Sequence, residues 1–140
     1  MRKVLAILTI LLAACTGSRQ EQGIDSSKAT EACESKPSNP QRISIAALLA
    51  NPDTYEGKAV TVIGYYHGSF EHSAIYLTKA DFQHDVLTNG LWVTNVVPET
   101  LNNRYIMLDG IFTSSHGHLG QWSGTICGIS RTAAWGPDEP

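Results

Sequence analysis

Apolar positions fall along this chain in three regimes. Residues 4–12 form an apolar stretch, with Thr9 its one polar side chain, behind Arg2 and Lys3; residues 16–40 are almost devoid of large apolar side chains, and from Gln41 onward such side chains return in clusters every ten to fifteen residues. In the last regime, Ile45, Leu48 and Leu49 recur at i, i+3 and i+4, one face of a short helix that Ser44 can cap. Asn51-Pro52 ends it, because a residue before proline is pushed out of the helical region. Residues 53–58 read as a turn. Residues 59–67 form the clearest strand, bulky on both faces and so expected to be buried on both, with Gly64 in its middle predicting a bend. Further strands are expected at 74–78, 90–94, 104–112 and 125–132, with a helical turn or two over 79–87, and Trp135 capping the domain. The first and fourth strands both lead through a glycine. Five short strands with two glycine bends predict a small closed barrel, where a bent strand serves two sheet edges.

The first regime has another logic. Spanning a bilayer takes roughly 20 apolar residues, so nine cannot remain as a membrane span. A positive start, a short apolar core and the small Ala13-Ala14 pair are the marks of a secretory signal over residues 1–14. The run Leu12-Ala13-Ala14-Cys15 resembles the lipobox of bacterial lipoproteins. That resemblance implies that Cys15 carries acyl chains such as palmitate and becomes the first residue of the mature protein. Each buried CH₂ contributes about 0.8 kcal/mol, so several chains together anchor firmly. By the same resemblance, Thr16, where an aspartate would favour the inner membrane, implies the outer membrane of the bacterial cell envelope, facing the periplasm.

Residues 15–40 are then the lipidated cysteine and a flexible linker, too polar to offset the entropy of ordering, and residues 41–140 the folded domain. Loss of Arg2 and Lys3 leaves eight Lys/Arg against thirteen Asp/Glu, a formal charge of −5 rather than −3. The remaining basic residues are scattered singly, which argues against a nucleic-acid partner. With Cys15 assigned to the anchor, Cys33 and Cys127 are left as an even pair in an oxidising compartment. A disulfide between them is expected over two free thiols or a buried one. It would shorten a tether of r.m.s. span roughly 25–30 Å to about 20–25 Å.

The stretch Asn51-Pro52-Asp53-Thr54-Tyr55-Glu56-Gly57-Lys58, running into Val60-Thr61-Val62-Ile63-Gly64-Tyr65, resembles a family of small bacterial proteins with an OB-like barrel. The resemblance continues through Ala74-Ile75-Tyr76-Leu77, Asp81-Phe82-Gln83-His84-Asp85, Asn89-Gly90-Leu91-Trp92-Val93, Arg104-Tyr105 and residues 116–124, and so covers roughly 44–131. It implies a mainly β fold: a five-stranded OB-like barrel with a short N-terminal helix and a short helical turn between strands 2 and 3. It supplies no chemistry.

Candidate chemistry is sparse. His116 and His118, one residue apart in an extended loop, would point to one side and are candidate metal ligands. A third ligand would have to come from His67, Glu71, His72, His84 or Asp85. Asp81, His84 and Asp85 could share a helix face, though a solvated polar face is the simpler reading. Residues 120–124 place Ser123 one position late for a nucleophile elbow, and Cys127 sits in mid-strand, so no catalytic constellation is visible and no cofactor is implied. Among the aromatic residues, Tyr65, Tyr76 and Trp92 are expected in the core, and Trp122, between polar residues and glycines, at the surface. The sequence therefore predicts a lipid-anchored binding module, not an enzyme. Its envelope-protein, glycan or peptide partner would meet it near Phe70, His116, His118 and Trp122, with metal binding by the loop histidines as the alternative.

Overall fold

The computed structural model describes residues 31–95 and 97–137. The signal stretch, Cys15 and the first half of the expected linker lie outside the described residues. The protein is mainly β, one mixed sheet of six strands: β1 (Gln41–Arg42), β2 (Ala59–Ser69), β3 (His72–Tyr76), β4 (Gly90–Val93), β5 (Arg104–Thr113) and β6 (Thr125–Ala134). Among the described residues from 41 onward, three short α-helices accompany it, α1 (Ile45–Ala50), α2 (Pro52–Tyr55) and α3 (Lys79–Gln83). Ser44 caps α1 by accepting from the Ala47 N–H at 3.2 Å, and the helix buries Ile45 and Leu48.

Three expectations need correction. The sheet has a sixth strand, because Gln41 and Arg42 run parallel to Val60 and Thr61; two residues are too few to show a pattern. The segment after Pro52 is a helical turn, proline starting it at a position where no N–H is needed. Residues 68–73, expected as a loop, extend β2 and β3 into a tight hairpin whose register runs to Ser69↔His72.

The neighbours are ordered β1-β2-β3-β4-β6-β5, and β2 also pairs with β5. β2 is antiparallel to β5 from Ala59↔Ile111 to Tyr66↔Arg104 and antiparallel to β3 from Tyr65↔Tyr76 onward. β4 and β6 run parallel through Trp92↔Thr125 and Val93↔Ile126. Strands β2, β3, β4, β6 and β5 thus form a cycle of bonded neighbours.

At Gly64 the second edge of β2 comes into use. A Cβ there would lie 2.3 Å from the Tyr76 carbonyl oxygen and 2.6 Å from Ile45 Cδ1, so the approach leaves room for hydrogen alone. Gly110 is tight in the same way, 2.5 Å from Ile126 Cγ2 and 2.9 Å from the Cys127 carbonyl. Alternation divides the side chains into two layers. Val60, Val62 and Tyr66 join Ile75, Leu91, Ile106, Leu108, Phe112 and Ile126 in the main core, which α1 closes with Ile45 and Leu48. The outward positions carry a second cluster of Tyr65, Ala74, Tyr76 and Trp122.

Cys33, in a helical turn at the start of the described chain, is bonded to Cys127 on β6 with a Cα–Cα distance of 5.2 Å. The bridge spans 94 residues of sequence, a loop whose closure is worth up to ~4–5 kcal/mol in the chain-entropy model.

Gly64→Ala should cost about 3 kcal/mol, because the methyl meets backbone and not a side chain free to move. Urea unfolding checks it, and a loss under about 1 kcal/mol would show that the bend tolerates a side chain.

Candidate functional site

Paired register places Tyr65 and His67 of β2 on the same outward face as His72 and Tyr76 of β3. The hairpin turn at Phe70 and Glu71 brings the two histidines close, their rings meeting edge to face with centroids 5.0 Å apart. Two other elements close over them. Phe82 of α3 stacks on His67 at 4.4 Å and on Tyr65 at 5.5 Å. From the other side Trp122 lies 5.2 Å from His72, 5.7 Å from Tyr76 and 5.8 Å from Trp92.

Each element is held locally. Thr78 caps α3 by accepting from the Asp81 N–H at 3.1 Å, and Asp81 Oδ1 accepts from the Asn89 amide at 2.8 Å. The loop from Ser114 to Gly124 doubles back on itself. His116 Nδ1–H donates to the Trp122 carbonyl at 2.7 Å, the Trp122 N–H to the His116 carbonyl at 3.0 Å, and the Thr125 hydroxyl to the Ser115 carbonyl at 2.7 Å.

Burial and polarity are balanced by the histidines. The fully buried Tyr76 has its hydroxyl 2.7 Å from His72 Nε2. His67 Nδ1–H donates to Asn103 Oδ1 at 2.7 Å. Burial first, and then the neighbouring His67, push His72 below the ordinary histidine value, against a smaller upward pull from Asp85. Burial and Asp85 push the Tyr76 phenol up, so it keeps its proton as a hydrogen-bonding group.

The residues picked from sequence scatter across this arrangement. Phe70 is 90% exposed at the hairpin tip. Trp122, expected at the surface, is 3% exposed. Its polar neighbours were a poor guide, since the doubled-back loop turns the indole onto three other rings. His116 and His118 do not flank an extended segment, because Gly117 between them has φ +63°. His116 is spent on the Trp122 carbonyl, while His118 stacks on Trp92 at 5.4 Å with its Nε2 buried and unpartnered. Asp81, His84 and Asp85 do not share a helix face, since α3 ends at Gln83 and Asp85 has φ +54°. Among the described residues no group of three or more His, Cys, Asp or Glu is placed to hold a metal ion.

Sequence reasoning missed that His67, His72 and Phe82 form one cluster. The available signal was Phe70-Glu71, which closes a two-residue hairpin once the strand pattern is carried through His67 to Ser69. It also missed Leu119, 74% exposed in the loop that carries Trp122. No protein-family model matches the chain, and no curated protein or solved structure matches it either.

The histidine cluster predicts a pH dependence. His72 has a lowered value when folded, so the unfolded chain binds the extra proton first, and stability falls as pH drops below about 6.5 toward the folded value. Comparing wild type with His72→Gln by thermal unfolding from neutral pH downward should show the wild-type curve falling away more steeply. Parallel curves would mean that His72 is not linked to folding.

Proposed function

We propose that this chain is a lipid-anchored binding module of the bacterial envelope, held to the membrane through Cys15 and built on a five-stranded OB-like barrel. The anchor rests on the Leu12-Ala13-Ala14-Cys15 run behind a short apolar core. The barrel reading is supported by the cycle β2-β3-β4-β6-β5-β2, antiparallel except between β4 and β6. In an OB-like barrel the loops after the first strand and before the last flank the ligand face. Here they carry Phe70 and Leu119.

The observation that carries the function is Phe70. A phenylalanine left 90% exposed at a two-residue turn gains nothing from the fold; its apolar surface is available only to a partner. Its position is also polarised. Cys127 pairs with Ile111 and Ile111 with Ala59, so the disulfide lies at the start of β2, whereas Phe70 follows its end. Eleven residues of strand lie between the two, a path of at most about 35 Å. The bridge holds the tether side at one end, and the hairpin tip reaches away from it toward an envelope protein.

Two experiments test the two halves of this reading. With Cys15→Ala, the protein should leave the membrane fraction and the detergent phase; unchanged partitioning would remove the anchor. A photo-crosslinking residue at position 70 or 119 in growing cells should give one discrete adduct that is absent from position 53, beside the bridge. Identical adducts from all three positions, or none from position 70, would remove the hairpin tip as the working surface.

A further inference from the structure

β3 and β4 part company near the hairpin. Their ladder stops at Ala74↔Trp92, although β3 begins at His72 and β4 runs on to Val93. Beyond it the Thr94 N–H turns to the Ile126 carbonyl of β6 at 3.2 Å. The parting leaves a cleft of about 330 Å³, with Tyr66, Ser73, Thr94, Asn95, Glu99 and Asn102 among its walls. That is near the lower end of the ~300–1,000 Å³ range of small-ligand sites.

One wall is fixed. Asn102 Oδ1 accepts from the Gly68 N–H at 2.8 Å, and its amide donates to the Gly68 carbonyl at 2.8 Å and to Glu99 Oε1 at 3.2 Å. The base of the hairpin and the turn after β4 are thereby clamped. The other groups keep spare capacity. The Tyr66 and Ser73 hydroxyls face each other at 3.1 Å, and the Thr94 hydroxyl donates to Asn95 Oδ1 at 3.1 Å, which leaves the Asn95 amide hydrogens free to donate. Glu99 is exposed, with its second carboxylate oxygen open.

The lining narrows the ligand. Among the described residues, no lysine, arginine or histidine lines it, so an anion would meet a carboxylate with no cation among them to offset it. Trp92 reaches the cleft, but its ring is turned to His118 and Trp122, and Tyr66 is only 4% exposed, so no open ring face awaits a sugar. Two strand edges that diverge are instead suited to the main chain of an extended segment, which adds to a sheet edge by backbone hydrogen bonds.

We propose that this cleft takes a short extended peptide carrying an amino group, its backbone against the parted edges of β3 and β4 and its cation at Glu99. The proposal rests on the reading of the chain as a binding module, though not on Phe70. The test is amide NMR on the full mature chain in detergent micelles, titrated up to about 10 mM with chitobiose and with Ala-Lys-Ala, trialanine and triglutamate, each peptide N-acetylated and C-amidated so that the lysine side chain alone supplies an ammonium. Ala-Lys-Ala should shift Gly68, Ser73, Thr94, Asn95 and Asn102. Glu99→Gln, at an exposed position that leaves the fold intact, should weaken it about two- to fivefold and leave trialanine unchanged. Shifts from chitobiose alone, equal binding of triglutamate, or no shift from any probe would each overturn the proposal. A crosslink from position 70 that persists without peptide shifts refutes the cleft alone. Peptide shifts without that crosslink keep the cleft and remove the tip.

Discussion

Strand β2 is asked to be an edge for two neighbours at once, and the approach of its backbone to Tyr76 at Gly64 makes that geometry available. Along most of its length β2 bonds to β5; from Tyr65 on it bonds to β3 as well. A side chain at position 64 would collide with the carbonyl that begins the second ladder and with the helix residue Ile45 beneath it. The absence of one methyl group therefore lets the strands close into a cycle. It also decides which face each later residue of β2 occupies, since a slip of one position would exchange the two layers. Tyr66 goes to the main core, and Tyr65 and His67 go to the outward cluster.

The outward face of β2 is secured by different chemistry at each end. Near its start Thr61 sits opposite Asp109, which sits opposite Arg131. The Thr61 hydroxyl donates to Asp109 Oδ1 at 2.6 Å, and the Arg131 guanidinium bonds both carboxylate oxygens, at 2.7 and 3.2 Å. Burial alone would raise the Asp109 carboxyl, but hydrogen bonds from Arg131 and Thr61 together with the Arg131 charge hold it below its ordinary value. A buried carboxylate satisfied in one alignment only penalises every other register. Near the end of β2 the same face turns aromatic, and the buried Tyr76 hydroxyl finds its partner in His72. Polar lock and aromatic cluster fix the same register from opposite ends.

The legible parts of the sequence were those governed by local rules. Ser44 before Ile45 and Leu48, Pro52 after Asn51, and β-branched residues around Gly64 each carry their own short-range reason, and α1 and β2 follow from them. The two-residue strand β1 and the pairing between β4 and β6 depend on which distant segments meet, and nothing in Gln41-Arg42 announces that. Trp122 shows the same limit. Glycines and polar neighbours suggest a solvated loop, yet the indole is covered because His116, six residues earlier, binds the carbonyl of Trp122 itself. Phe70 was legible as a surface residue, but the hairpin that gives it its place was not, since His67 to His72 resembles a loop until His67 and His72 are known to share a face.

The filled outward face bears on where binding can occur. On the OB-like reading proposed above, β3 and β4 would be the second and third strands, whose face is the ordinary ligand platform of such barrels. Here that ground is taken by the protein's own rings: Phe82 and Trp122 cover His67, His72 and Tyr76 from two sides. Uncovering the platform would expose a buried tyrosine, a buried tryptophan and the hydrogen bond between Tyr76 and His72, a loss that a weakly held ligand could not offset. What the fold leaves unspent lies around the hairpin instead: a ring at its tip and, beside its base, two strand edges that have let go of each other. Both lie toward the end of β2 remote from the disulfide; under the proposed anchoring, a partner would reach them while the tether side stays occupied.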